Sequence, residues 1–350
     1  RLDALLAADL AQLHDDAARD DGIDVGHRAA AAILALRTND GSQYPDPIYG
    51  VQYIPGKLPG EWRQDPISKS PIAYGAYWYK VRPFVIASAD QFLPPPPPAL
   101  PSPEYAAAFN EAKRIGGDGI VTPTQRTLAQ TVVGIYWGYD STPYLGAPPR
   151  LLNQMTMHMA NGTVTGAVDL ARLLALVNVA QADAAIAVWT AKYYYRFWRP
   201  VTAIREADPG TGPTGLGDGN PATSGDPRFT PLGAPATNTD GPDFTPPFPS
   251  YPSGHAGFSG TTFEVLREFF GTDAVSFTFL SDEWNGRNRD SEGWVRPPIP
   301  WSYASLSEAE EEDGESRIYL GVHWDFDKTE GIAQGRKVAD WVYGHAFLPE

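Results

Sequence analysis

The stretch Val168-Asp169-Leu170-Ala171-Arg172-Leu173-Leu174-Ala175-Leu176-Val177 decides the fold class. Leu170, Leu173, Leu174, Leu176 and Val177 spread apolar side chains over an arc too wide for a helix lying on a surface, so other helices must enclose it. The pattern carries this helix from about Val168 to Trp198, the longest of the chain. Further helices are expected over Ser102–Gly116, with Ser102 as cap and Pro103 at the first helical position, over Pro123–Tyr139, over Pro148–Asn161 and over about Lys328–His345. Another starts near Ser253, runs to Phe270 and stops at Gly271. Near the start, Leu2, Leu5, Leu6, Leu10 and Leu13 lie on one helical stripe. Gly22 and Gly26 are expected to break that stretch before a second helix through Ala29–Arg37.

No run of alternating β-branched residues and no hairpin signal occurs, so the expected class is all-α. Helical bundles are expected, as two four-helix-bundle-like halves joined by long Gly/Pro-rich loops. One domain is expected over 1–350, with an irregular N-terminal part over 1–100 and a helical core over 101–345. Pro94–Pro98 must be extended polyproline II and reads as a stiff strap across the surface. Residues 207–249, dense in Gly, Pro, Asp and Thr, read as a functional loop, because candidate site residues lie on both sides of it. The acidic run Glu308–Asp313 reads as a solvated helix face.

The chain has 350 residues, 42% hydrophobic, with 10 Trp, 17 Tyr and 15 Phe, enough for a large core. A net charge of −15 argues against a general nucleic-acid binder, which needs a basic face. There is no cysteine, which excludes disulfides, thiolate nucleophiles and Cys-ligated metals. No apolar run approaches the ~20 residues of a membrane span. The chain starts at Arg1 rather than Met, which suggests a removed leader. With the lack of cysteine, this makes a secreted or periplasmic location the expectation.

Three stretches carry chemistry. The first is Lys192-Tyr193-Tyr194-Tyr195-Arg196-Phe197-Trp198-Arg199-Pro200. On a continuous helix, seven residues at ~100° each bring Lys192 and Arg199 to nearly the same face. Two cations at the apolar end of a buried helix need something to neutralise them, although side chains snorkelling at a helix terminus are the simpler account. The second stretch is Tyr251-Pro252-Ser253-Gly254-His255. Ser253 is a good N-cap, and a helix start offers free N–H groups and a positive dipole end to an oxyanion. Gly254 leaves room for a ligand beside the backbone, and His255 stands ready to move a proton. The third is Ser316-Arg317-Ile318-Tyr319-Leu320-Gly321-Val322-His323-Trp324-Asp325-Phe326-Asp327. Arg317 adds a third cation, and Gly321 interrupts the helix so that His323 can swing free. A satisfied core histidine is the plain alternative for His323. Together the stretches suit a tetrahedral oxyanion of high charge.

The pattern Lys-x6-Arg-Pro, Pro-Ser-Gly-His, Ser-Arg-x5-His-x3-Asp resembles the superfamily of type 2 phosphatidic acid phosphatases and vanadium haloperoxidases. Pro246–Tyr251, Leu232–Thr239, Tyr136–Asp140 and Ile318–Trp324 look like the vanadium chloroperoxidases. The resemblance covers roughly 100–330 and is loose before that. It implies a vanadate cofactor, with phosphate able to occupy the same site. His323 would be the vanadium ligand, and Lys192, Arg199, Arg317, Ser253 and the Gly254 N–H would bind the oxygens. His255 would be the acid–base group, and His255, Lys192 and His323 the catalytic set. Trp189 and Phe248 would wall the halide pocket, while Asp140 pairs with Arg317 and Asp327 supports from behind. The implied partners are hydrogen peroxide, a halide ion and an organic acceptor, and the implied product is hypohalous acid. Two other readings stand beside this one. One is an acid phosphatase working through a phospho-His at His323. The other is a non-catalytic anion-binding helical protein, which leaves two histidines without a task.

Overall fold

The computed structural model describes residues 2–14 and 16–348. The expectation about a leader before Arg1 lies outside them. Among the described residues there are ten α-helices and one small sheet: α1 (Leu2–Leu10), α2 (Ala17–Leu36), α3 (Pro103–Ile115), α4 (Leu128–Tyr136), α5 (Pro148–Ala160), α6 (Ala167–Tyr195), α7 (Pro200–Glu206), α8 (Gly254–Phe270), β1 (Phe277–Leu280), β2 (Pro300–Tyr303), α9 (Leu306–Tyr319) and α10 (Asp325–His345). The all-α reading holds, with one addition: β1 pairs antiparallel to β2, Phe277 opposite Tyr303. No hairpin signal marks this pair, because nineteen residues separate the two short strands (281–299).

Two compact units divide the chain, residues 1–44 and 45–350. In the first, α2 is capped by Asp16, whose side chain accepts from Arg19 N. It runs straight through Gly22 and Gly26, against the expected break. Neither glycine has a neighbour within 4 Å of a virtual Cβ, so both sit on an open helical surface, where glycine costs helix only ~1 kcal/mol. No residue of α1 or α2 is buried. In the second unit, residues 45–100, which the sequence reading set apart from the core, cluster with it. The polyproline run is strapped down as expected: Tyr195 Oη donates to Pro94 O, and Tyr251 Oη donates to Pro95 O.

The core of this unit surrounds α8, which packs on α5, α6, α9 and α10. By length and composition α6 could cross a membrane, against the expectation that no run approaches such a span. Its Leu173, Leu176, Val177, Ala180, Ala184, Ala187 and Val188 are buried inside the protein, and this gives the apolar run its place in the core. The acidic run is not a solvated face throughout: Glu310 and Asp313 are buried. Glu310 takes both oxygens to Arg267 at 2.9 and 3.0 Å and also pairs with Arg336, so α8, α9 and α10 are tied together by one carboxylate.

Helices α8 and α10 cross on glycine. A Cβ at Gly335 would lie 2.2 Å from Gly257 O, and one at Gly260 would lie 2.6 Å from Ile332 O. The backbones therefore touch, and Ser253 N donates to Asp327 O at 2.9 Å at the end of the crossing that carries the site. We expect Gly335→Ala to lower unfolding stability by ~1–3 kcal/mol through overpacking. Gly344→Ala, on the same helix but in open space, should cause no loss. Denaturant midpoints measure both, and equal effects would mean the crossing is looser than described.

Candidate functional site

The site is built where α6, α8, α9 and α10 end together. The first element, α6, stops at Tyr195, and Arg196 takes the left-handed conformation (φ 51°). The expected face-sharing of Lys192 and Arg199 on one continuous helix is thus incorrect. Arg199 instead caps the next helix, α7, with Pro200 in its first turn. The chain turns at Arg196 because residues 60–62 take over its hydrogen bonds: Trp62 N donates to Arg196 O at 2.7 Å and Trp198 N to Gly60 O at 2.9 Å. Lys192 and Arg199 still converge, by the turn and not by helical period.

Ser253 caps α8, its Oγ accepting from Ala256 N at 3.4 Å. The first-turn N–H groups of α8, beginning with Gly254, have no intrahelical carbonyl to reach. The room beside Gly254 is partly taken by the protein itself. A Cβ there would lie 3.1 Å from the Trp189 ring and 3.8 Å from Lys192 Cε. Helix α9 delivers Arg317 and ends at Tyr319. Gly321 turns the chain at φ 69°, a left-handed conformation that L side chains rarely adopt. His323 then sits just ahead of α10, which supplies Asp327.

The cations are sealed from water: Lys192 and Arg317 are 0% exposed and Arg199 is 1% exposed. Lys192 Nζ donates to Pro249 O at 3.1 Å, to Ser250 O at 2.8 Å and to Pro252 O, so its three donors clamp the loop that precedes α8. An oxyanion in the pocket would compete with these carbonyls. Arg199 donates from Nε to Phe248 O at 3.0 Å and from Nη1 to Val322 O at 2.7 Å. Arg317 Nη2 pairs with Asp140 Oδ1 at 2.9 Å, as the resemblance implies. What remains is a set of buried donors with no protein acceptor: Arg199 Nη2 and Arg317 Nε and Nη1. Each such charged donor is costly if nothing meets it, and together they define a place for a multiply charged oxyanion.

His323 Nδ1–H donates to Asp327 Oδ2 at 2.7 Å, which fixes the tautomer with the lone pair on Nε2. Nε2 faces Arg199 Nη1 at 2.9 Å. With a carboxylate behind, the Nε2 lone pair points forward and accepts from Arg199 Nη1, the orientation a metal-binding histidine needs. Ser250, which the sequence reading missed, also donates to Asp327 Oδ2 and lies 3.4 Å from His323 Nδ1. His255 is held differently: its Nε2–H donates to Gly138 O at 2.7 Å. Trp189 and Phe248 pack at 5.0 Å between centroids, with Lys192 Nζ 5.0 Å and Arg199 Cζ 4.9 Å from the Phe248 ring. A third ring, Tyr74, was missed. It lies 6.3 Å from Trp189 and 6.1 Å from Phe248. It comes from the segment without helical pattern, so only the aromatic content of residues 73–83 pointed to it.

Burial and the like charge of neighbours push protons off the basic groups of the pocket. Burial, then Arg199, lowers Lys192 well below its usual range. Burial brings Arg199 down to about 9. Burial, then Arg317, lowers His255, and burial, then Arg199, lowers His323. Burial raises Asp327 to about 6 and also raises Asp140.

Comparison with known proteins fits this arrangement. Residues 172–348, just over half of the chain, match the family described as the VCPO second helical-bundle domain. The chain is 37% identical over 277 residues to a vanadium chloroperoxidase of Curvularia inaequalis. That alignment takes in 68% of this chain and 43% of the relative, so the chain spans less than half the relative's length. The structure is similar to a bacterial vanadium-dependent iodoperoxidase, with a TM-score of 0.70 and 25% identity over 93% of this chain and 69% of that one. The fold is also that of a holo-type bacterial vanadium-dependent chloroperoxidase, at TM-score 0.55 and 15% identity over 91% and 71% of the two chains.

Two outcomes follow from the pocket alone, with sulfate as a probe of fixed charge. Arg317→Lys keeps the charge but loses the Nε and Nη1 donors, so sulfate affinity should fall ~10-fold or more by calorimetry. Unchanged affinity would mean those donors face elsewhere. A bound anion raises the proton affinity of every depressed group, so binding should take up protons and weaken as pH rises. Calorimetry in buffers of different ionisation enthalpy reads this directly, and proton release would contradict the assigned electrostatics.

Proposed function

This chain belongs to the vanadium chloroperoxidase family, and on that premise we propose that it holds vanadate in the cation pocket and oxidises halide with hydrogen peroxide. The overall balance is H2O2 + X⁻ + H⁺ → HOX + H2O, with the hypohalous acid passed to an organic acceptor. The observation that carries this reading is a set of buried, unpartnered Arg199 and Arg317 donors whose charge acts on His323, a ring fixed by Asp327.

The residues fit the cofactor. The orphaned guanidinium N–H groups suit three charged oxygens, the first turn of α8 adds backbone donors, and His323 offers one neutral imidazole nitrogen. When bound, vanadate would supply a Lewis-acidic centre that activates peroxide without changing its own oxidation state. The protein supplies the rest. Lys192 and Arg199 provide positive charge where the oxygen under halide attack becomes more electrophilic. His255 holds or gives up a proton beside that oxygen. Trp189, Phe248 and Tyr74 form an aromatic wall that displaces water from one side of the halide, and Trp189 Nε1 is a buried donor with no protein partner. Stripping water from the anion makes it a better nucleophile. The same wall favours the peroxidase over the phosphatase reading, since the leaving alcohol of a phosphate ester would lie against rings rather than polar groups.

We expect the chain, given orthovanadate, peroxide and bromide, to brominate an activated dione. His323→Ala should abolish vanadate retention through dialysis. Lys192→Ala should lower halide oxidation more than vanadate retention. No turnover with chloride, bromide or iodide, alongside hydrolysis of a phosphate ester, would replace this proposal with the phosphatase.

A further inference from the structure

One peptide unit joins two buried side chains at the back of the site. His255 Nε2–H donates to Gly138 O at 2.7 Å. On the other side of the same peptide, Tyr139 N–H donates to Glu283 Oε1 at 3.2 Å. A peptide is conjugated, so a carboxylate at its N–H end draws the proton and leaves its carbonyl oxygen a stronger acceptor. His255 thus meets a carboxylate through a peptide, whereas His323 meets Asp327 directly. Among the described residues no carboxylate is hydrogen-bonded to the His255 ring itself.

Independent features hold this peptide in place. Tyr139 is a non-glycine residue at φ 48°, a conformation that persists only where its surroundings over-determine it. Its phenol is pinned at both ends, accepting from Asp282 N at 2.9 Å and donating to Gln154 Oε1 at 3.2 Å. Glu283 is 0% exposed, and its second oxygen accepts from Thr237 Oγ1 at 2.6 Å and Arg296 Nη1 at 2.8 Å. A Cβ on Gly138 would lie 2.5 Å from Glu283 Oε1, so only glycine lets the carboxylate approach.

We propose that Glu283 is a positioning residue that acts on His255 through the Gly138–Tyr139 peptide, fixing the ring with its proton on Nε2. Nδ1 is thereby left as the atom that exchanges protons. The groups facing His255 otherwise are Arg317 from α9, Lys192 from α6 and His323 from the turn before α10, with burial the larger influence. Burial raises Glu283 to about 7 against the pull of Arg296, with Asp140 adding to the rise, so the charged form acts above that pH. The importance of this relay for turnover rests on the reading of His255 as the acid–base group, but its existence does not.

Glu283→Gln keeps size and an acceptor and removes the charge. In vanadate-free protein of unchanged near-ultraviolet circular dichroism, the His255 ring should titrate at least ~0.5 pH unit lower by ring nitrogen NMR. With vanadate and bromide, the pH–activity profile should move the same way. Glu312→Gln removes a carboxylate that accepts from Trp137 Nε1 at 3.0 Å but does not touch the peptide, and should leave His255 where it is. An unmoved His255 titration in folded Glu283→Gln overturns the proposal. A moved titration with an unmoved pH–activity profile upholds the relay and removes the acid–base reading of His255. Should Glu283→Gln not fold, the wild-type Tyr139 amide proton decides. Its shift must follow the His255 titration, and a flat response overturns the relay.

Discussion

Everything in this fold answers to one electrostatic demand: Lys192, Arg199 and Arg317 stand together in a volume closed to water. Such charges cost several kcal/mol each to desolvate unless geometry and hydrogen bonds offset it. The protein offsets only part. Asp140 faces Arg317, Asp327 lies behind His323, and three loop carbonyls surround Lys192. The two carboxylates lean toward their protonated forms because burial outweighs the cations. The remaining guanidinium donors are left for a ligand. A pocket designed for stability alone would have closed that deficit with another carboxylate. Leaving it open turns those donors into affinity for an oxyanion.

Holding that deficit requires rigid walls. The glycine-to-glycine crossing of α8 and α10 provides them, because backbones in contact leave no side chain to re-pack. Through Ser253 N on Asp327 O, the crossing fixes the first turn of α8 relative to the carboxylate that orients His323. The loop over 207–253 completes the enclosure with Phe248, the Lys192 acceptors and Ser250. A disordered linker could not hold three carbonyls on one ammonium, so the length of this loop is explained by what it carries.

Much of this was legible in the sequence, for identifiable reasons. Apolar breadth in Leu170–Val177 announces burial whatever the partners are. Ser253, Gly254 and Gly271 mark the bounds of α8 because capping is local chemistry. Lys192, Arg199, Arg317, His255 and His323 stood out because charge and imidazole are conspicuous in apolar surroundings. What was not legible depends on distant contacts. Lys192 and Arg199 seemed helically related, and only strand-like bonds from residues 60–62 reveal the turn at Arg196. Glu310 and Asp313 read as solvated because nothing local says that Arg267 and Arg336 meet Glu310 or that Ser259 of α8 faces Asp313. Ser250, Tyr74 and Glu283 are ordinary residues locally and take meaning only from the histidines and rings they meet across the fold.

The two histidines show how one pocket can give identical side chains different chemistry. Both are buried, and both are pushed toward neutrality by burial and nearby cations. For His323 the proton is tied on Nδ1 by a direct carboxylate, so Nε2 keeps its lone pair, which accepts from Arg199 Nη1 and has the orientation coordination needs. For His255 the proton is tied on Nε2 by a carbonyl, a weaker acceptor than an ionised carboxylate. Its ring can therefore change protonation state without breaking a salt bridge, which is what an acid–base group requires. The proposed assignment of ligand and proton carrier thus rests on which acceptor each ring meets.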